Sequence, residues 1–317
     1  LVAAGVKRQK QRRRPKLHSP RARKPQAGML WQIDASKHDW LEGRSPAFAL
    51  LAAIDDATGL VVGAVFRSEE TTEGYFEVMR QGIRTYGIPA ALYSDRHSIF
   101  KSRNEKATIE QELAGEEAPL SNFGQAMRDL GISHPKARSP QAKGRIERLW
   151  GTLQDRLLVE LRILGVTSLE EANRVLPQLI AKHNKRFAVK PEQTESMYRK
   201  LDTNLDLVFC MREMRSVGPG QTISYGGKIY TLQTSSTRQT IPPKTRIEVR
   251  LNMKGKLFAW YQGQALGLKE AEKPKQAKPT PEKKKADLAP PHKPAANHPW
   301  RVWRGPKELN RALQKQD

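Results

Sequence analysis

The sequence predicts an α/β fold, a mixed sheet flanked by helices, followed by a small β-barrel and bounded by basic, largely disordered ends. Its core opens on consecutive apolar runs joined by turn chemistry, and helical and strand periods then alternate. Beyond residue 220 only short β-rich pieces remain. These patterns divide the chain into a basic arm (1–28), an α/β core (29–190), a helical connector (191–220), a small β-barrel (221–268), a Pro/Lys-rich linker (269–299) and a basic tail (300–317).

Taken in order, residues 1–28 are too charged and proline-punctuated to pack. "MLWQIDAS" then reads as a strand, and "PAFALLAAIDDATGLVVGAVF" as two more around a hairpin turn, giving three consecutive antiparallel strands. In "TTEGYFEVMRQGIRTYG", Tyr75, Phe76, Met79, Ile83 and Tyr86 fall on one helical face, and Gly87 can end the helix. "IPAALYSD" is a short strand ending in Asp95, residues 101–120 an exposed insertion, "NFGQAMRDLG" a helix and "ISHPKA" a short strand. A long amphipathic helix is expected from about Pro140 to Leu164, with the apolar stripe Ile146, Leu149, Trp150, Leu153, Leu157 and Leu161. Ser168 and Glu171 form a capping-box pattern before a helix reaching about Phe187. The β-rich pieces after Gln221 are separated by "GG" and "NMKG" turns, which suggests the barrel.

Charge is concentrated at the ends. The formal net charge is +23 over 317 residues; residues 1–28 carry ten Lys or Arg and no acid, and residues 269–317 carry thirteen bases against six acids. Such arms suit a polyanion, because each neutralised phosphate releases counterions. The bland alternative is a pair of solubilising tails. A single cysteine, Cys210, excludes an intrachain disulfide framework and a cysteine-based zinc finger. No apolar run is long enough to span a bilayer and the first residues lack a signal-peptide core, so a cytoplasmic, nucleoid-associated protein is expected. The chain starts at Leu1 rather than Met, which suggests missing upstream sequence.

Acids stand at the ends of the predicted core elements: Asp34 in the first strand, Asp95 at the end of the fourth, and Glu147 on the long helix. A carboxylate within an apolar strand costs several kcal/mol unless it is paired or binds a metal. Oxygen ligands from separate elements suit Mg²⁺, and two such ions can hold the attacking and leaving oxygens of a displacement at phosphorus. Any one of these acids could instead be a salt-bridge partner or a cap. On a helix, Lys143, Gly144, Glu147, Gly151 and Gln154 share one side, and the glycines remove bulk beside Glu147 at about 1 kcal/mol each of helix propensity. That choice makes sense where a metal and a DNA backbone come close.

"QIDAS", "YSDRHSIF" and "SPQAKGRIER" together resemble the catalytic core of DDE transposases and retroviral-type integrases, an RNase H-like fold. The similarity is closest to bacterial insertion-sequence transposases of the ISNCY group. It extends through "DASKHDWLEG", "AIDDATG", "TLQDRL", "NKRFAV" and "HPWR", over roughly residues 20–304. The resemblance implies Asp34, Asp95 and Glu147 as catalytic acids binding two Mg²⁺ ions, with Mn²⁺ able to substitute. It implies hydrolysis at transposon ends, then strand transfer of the freed 3′-hydroxyl into target DNA by a homo-oligomer on DNA, away from membranes. Arg96 and His97 replace the Asn-Gly that usually follows the second Asp in integrases, and the spacing to the third acid is long. Such transposases also normally carry an N-terminal helix-turn-helix region.

Lys143, Arg145, Arg148, Lys136, Arg138, His97, Arg12, Arg13, Arg14 and Trp300 are the candidate DNA contacts, although Arg145 and Arg148 could equally be solvated and His97 ordinary loop packing. Asp55 and Asp56 read as turn residues, as do His38 and Asp39, with a supporting role at the site as the alternative for the latter two. Trp303, with Trp300, could stack on bases or anchor a neighbouring subunit. The β-rich domain could bind DNA or only pack on the core. The rival functions are a nuclease that cuts without joining, and an N-terminally truncated, non-catalytic DNA-binding regulator derived from a transposase.

Overall fold

The computed structural model describes residues 21–95, 97–100, 120–135, 144–233 and 240–271. The expectations for residues 1–20, the insertion, the start of the long helix, the linker and the tail lie outside them, as do Arg12, Arg13, Arg14, Arg96, Lys136, Arg138, Lys143, Trp300 and Trp303.

Strands β1 (Trp31–His38), β2 (Phe48–Asp55) and β3 (Val61–Arg67) form the expected antiparallel meander. Every residue of β2 is buried, as its unbroken apolar run requires of a strand covered on both faces. β4 (Leu92–Tyr93) returns parallel to β1, giving the order β3-β2-β1-β4. Of "ISHPKA", residues 132–135 are described, and Ser133 forms a parallel bridge with Ala91. Ser133 N–H donates to the Ala90 carbonyl and its own carbonyl accepts from Leu92 N–H, while Pro135, two residues on, has no N–H to donate.

Helices cover both faces. On one, α1 (Thr72–Tyr86) and α2 (Asn122–Asp129) pack Tyr75, Phe76, Met79, Phe123 and Met127 against Trp31, Ile33 and Leu51. Gly63 of β3 is what lets α1 approach: a Cβ there would meet the Val78 carbonyl oxygen at 2.3 Å. On the other face lie α3 (Gly144–Ile163) and α4 (Leu169–Phe187). The six residues of the α3 apolar stripe are the ones it buries. Ser168 caps α4 by accepting from Glu171 N–H, whereas the Glu171 carboxylate accepts from Thr167 N–H, one residue earlier than a capping box requires.

β3 lies at an edge of the sheet, and helix side chains serve its open edge. Asn184 and Asn173 of α4 each bond both N–H and C=O, of Val61 and Phe66 respectively, and Gln81 of α1 accepts from Ala64 N–H. Pairing the ladder groups in this way blocks edge-to-edge association.

A short helix α5 (Leu205–Val208) leads into six antiparallel strands, β5 (Cys210–Ser216), β6 (Thr222–Tyr225), β7 (Lys228–Gln233), β8 (Arg246–Asn252), β9 (Leu257–Tyr261) and β10 (Gln264–Ala271). Their order is β5-β8-β9-β10-β7-β6, around a small core that includes Ile223, Leu232, Ile247, Val249 and Leu266. The second sheet is tied to the first layer by charge. Arg212 of β5 bonds Asp129 of α2 at 2.6 Å, and Asp206 accepts from both Lys254 (2.7 Å) and Arg80 of α1.

Lys254 and then Arg80 pull the Asp206 carboxyl down to about 2. Because its folded value lies below the ordinary 3.8, its contribution to stability is complete above 3.8 and is lost as pH falls through about 2. Urea midpoints measured from about pH 5 to about pH 2 should fall less steeply for Asp206→Asn than for the unmutated chain. Parallel curves would count against the clamp.

Candidate active site

The side of β1 facing α3 presents Gln32, Asp34 and Ser36, alternate residues of one strand face. Each meets α3. Gln32 Oε1 accepts from the N–H groups of Arg145 and Ile146 at 3.2 Å, satisfying two donors at the start of the helix. Asp34 Oδ2 accepts from Trp150 Nε1 at 3.1 Å, and Ser36 Oγ is bonded by Gln154 Nε2 at 3.0 Å. This polar ladder fixes the height of α3 along β1 and so the place of Glu147.

The parallel pairing leads to Asp95. Trp31 pairs with Leu92 and Gln32 with Tyr93, so Asp95 follows two residues after the short strand that lies beside β1, and both Asp34 and Asp95 come close enough to Tyr75 for their charges to act on its phenol. Both carboxylates are half-buried. Asp95 Oδ1 accepts from His97 N–H at 2.8 Å. Behind them stands Tyr75, fully buried, whose hydroxyl donates to Glu70 at 2.5 Å. Burial first, then the carboxylates of Glu70, Asp34 and Asp95, hold its phenol well above the ordinary range, so it stays protonated. The exposed His97 ring lies 3.8 Å from Glu70.

Glu147 lies in the first turn of α3, exposed, just under a turn before Trp150. Among the described residues no three His, Cys, Asp or Glu side chains converge closely enough to hold a metal ion. The arrangement therefore puts one expected ligand, Asp34, within β1, the second, Asp95, just after β4, and the third on the adjoining helix. Its donor chemistry, oxygen only and partly open to solvent, fits a hard divalent cation. A Cβ at Gly144 or Gly151 would meet nothing within 4 Å, so neither glycine is required by packing inside the chain.

The other candidates divide. Arg145 turns inward, 3.8 Å from Asp56 and bonded to the Arg21 carbonyl at 3.1 Å; burial and then the neighbouring Arg23 lower its pKa. Arg148 is exposed and bonds the Gly144 carbonyl. Asp39 accepts twice from Gly43 N–H in a turn, and His38 packs edge-on to Trp40.

Asp55 and Asp56 do more than serve the hairpin. Both are fully buried. Asp55 accepts from Gly28 N–H, Thr58 N–H and hydroxyl, and Tyr198 OH. Asp56 accepts from Lys24 N–H, Arg21 and Gln32 Nε2, binding the end of the basic arm to β1. Sequence reading missed Gln32 and Ser36 as ladder residues, and Glu70 and Tyr75 as neighbours of the acids. The first two leave a trace, since polar Gln32, Asp34 and Ser36 alternate with apolar Trp31, Ile33 and Ala35.

An antiparallel meander with a parallel fourth strand and helices on both faces defines a mixed α/β core. By sequence the chain is related to bacterial insertion-sequence transposases. It is 34% identical over 269 residues to y4bF of Sinorhizobium fredii, described as a transposase, covering 84% of this chain and 57% of that protein. It is 30% identical over 297 residues to the transposase for insertion sequence IS1202 of Streptococcus pneumoniae, covering 90% of this chain and 61% of that protein. The chain thus spans about three-fifths of the length of these relatives. No family model matches it.

Among solved structures it is similar to the magnesium-bound HTLV-2 integrase catalytic core, at 19% identity and TM-score 0.33 over 47% of this chain and 83% of that one. It is also similar to a chain of the simian T-cell lymphotropic virus intasome in complex with PP2A regulatory subunit B56 gamma, at 15% identity and TM-score 0.41 over 83% and 86%. No helix among the described residues is long and apolar enough to cross a membrane.

Proposed function

We propose that this chain is the catalytic part of a DNA transposase, a polynucleotidyl transferase that hydrolyses transposon ends and joins the freed 3′-hydroxyl to target DNA. The observation that supports the reading is α3 held against β1 by Gln32, Asp34 and Ser36, with Asp34 and Asp95 both acting on the buried Tyr75. Asp34, Asp95 and Glu147 would hold two Mg²⁺ ions, which when bound supply positive charge to the attacking and leaving oxygens.

The chain's own residues prepare that chemistry. Trp150 orients the Asp34 carboxylate, and the His97 backbone orients Asp95. Tyr75, kept neutral, holds Glu70 beside His97. Gly144 and Gly151 leave open surface on α3 for a DNA strand beside Glu147. Lys136, Arg138, Lys143, Arg145, Arg148, His97, Arg12, Arg13, Arg14 and Trp300 remain the proposed DNA contacts. We read the second sheet as a small barrel, since β5 and β6, the ends of its strand order, come into contact. The working form is a homo-oligomer on DNA in the cytoplasm, associated with the nucleoid.

The test is strand transfer by purified protein with Mg²⁺ or Mn²⁺, a pre-cut end bearing a 3′-hydroxyl, and supercoiled target plasmid. Metal-dependent joining is the expected result; DNA binding without joining under either metal would replace this reading by that of a regulatory DNA-binding fragment. In the same assay Gly151→Ala should join more slowly although it stabilises the helix by about 1 kcal/mol. Unchanged joining would show that no DNA strand approaches there.

A further inference from the structure

α3 carries a second polar stripe that the acids do not use. Glu147, Gly151 and Gln154 occupy one flank of its apolar face; Arg145, Arg148, Thr152 and Arg156 run down the other, roughly 100° or more around the helix. This second stripe faces α4 across a groove with two adjoining clefts that share His183 and Phe187. One, of about 170 Å³, is lined by Arg23, Arg145, Arg148 and Thr152. The other, of about 150 Å³, is lined by Arg156, Lys182, Arg186 and Glu160.

Charge in the groove is mostly uncompensated by its own acids. Asp56 is buried and shared by Arg21, Gln32 and Lys24 N–H, with Arg145 at 3.8 Å, and Glu160 is taken by Lys182, which leaves Arg148, Arg156 and Arg186 as the groove's surplus cations. The next acid on α3, Asp155, is exposed to solvent and lines neither cleft. At the centre Phe187 is 37% exposed, with the Arg156 and Arg186 guanidinium carbons 5.1 and 5.6 Å from its ring centroid and His183 at 4.8 Å. Stacking on an aromatic face keeps a guanidinium's edge donors directed outward. Burial and then Arg156 lower the His183 pKa, in keeping with a surplus of positive charge.

The spacing selects the ligand. From Arg145 to Arg156 is eleven residues of helix, about 16 Å, or roughly five steps of one strand in duplex DNA. A single small anion would fill one cleft; a row of phosphates fills both. We infer that the α3–α4 groove is a phosphodiester-backbone site for duplex DNA, holding a segment other than the one presented to Asp34, Asp95 and Glu147. This rests on the proposed transposase reading. It adds a second DNA path on the core, so that one chain can grip two stretches of duplex at different angles around α3.

Fluorescence anisotropy with the full chain and a labelled duplex, titrated over a range of salt, tests the groove. Arg156→Gln combined with Arg186→Gln should reduce the slope of log affinity against log salt by about 1.8, one unit of about 0.9 for each phosphate no longer neutralised. Arg174→Gln, on an exposed part of α4 outside both clefts, should leave the slope unchanged. Unfolding midpoints of each variant separate weakened phosphate binding from a disturbed fold, and Arg156→Lys with Arg186→Lys should restore the slope without refilling the ring contacts. An unaltered slope in the double glutamine variant of a chain that still joins DNA would overturn the groove and leave the transposase reading intact. Failure of the unmutated chain to bind DNA at all would overturn both.

Discussion

Alanine at Asp56 is expected to lower folding stability by about 3–5 kcal/mol, the loss typical of removing one partner from a buried charged network. Asp56 is fully buried and accepts from Arg21, Lys24 N–H and Gln32, with Arg145 at 3.8 Å. Removing it leaves those donors without an acceptor in a place water reaches poorly. Asp56→Asn keeps one oxygen and the side-chain volume and should lose less. Urea denaturation gives both values; a loss for alanine under about 1 kcal/mol would mean that the cluster is replaceable.

The effect should also travel. Gln32 uses its Nε2 on Asp56 and its Oε1 on the first N–H groups of α3, so loosening Asp56 frees the end of the helix that carries Glu147. Faster hydrogen exchange at Arg145 and Ile146 than at Leu157 in Asp56→Asn would register that coupling.

The parts of this core that local pattern dictates could be read in the residues, and those made by distant polar pairs could not. The α3 stripe from Ile146 to Leu161 follows the helical period because one face must be buried, and the structure buries those six side chains. The hairpin at "DDATG" likewise follows from its turn chemistry, with Gly59 at φ 70°. Asp56 looked like part of that turn alone, because its partners come from Arg21, Lys24 and Gln32, 24 to 35 residues away, and no period links them. At the site, Asp34, Asp95 and Glu147 stood out as isolated acids in apolar or basic surroundings. The groups that orient them, Trp150 and Gln32, had the appearance of core and strand residues.

Alanine at Asp34, Asp95 or Glu147 is expected to lower joining by about a thousandfold or more, since groups that act as a unit lose most of their effect when any one is removed. DNA binding should stay within about twofold, because contacts to phosphate supply most of the affinity. Asp34 offers the sharpest discrimination between a site residue and a structural one. Its Oδ2 accepts from Trp150, so a purely structural Asp34 would lose stability on replacement and lose joining only in proportion. Asp34 shares the neighbour Tyr75 with Asp95, where a site residue would stand. The expected result is a loss of joining far larger than the modest loss of unfolding midpoint that the Trp150 bond accounts for. Trp150→Phe reverses the pattern: it keeps all three carboxylates, loses the indole N–H and part of the packing, and should reduce joining by about ten- to a hundredfold through misplacement of Asp34. If Asp34→Ala unfolded at markedly lower denaturant than Trp150→Phe while still joining DNA, the carboxylate would be a partner of the helix and the catalytic assignment would have to move elsewhere.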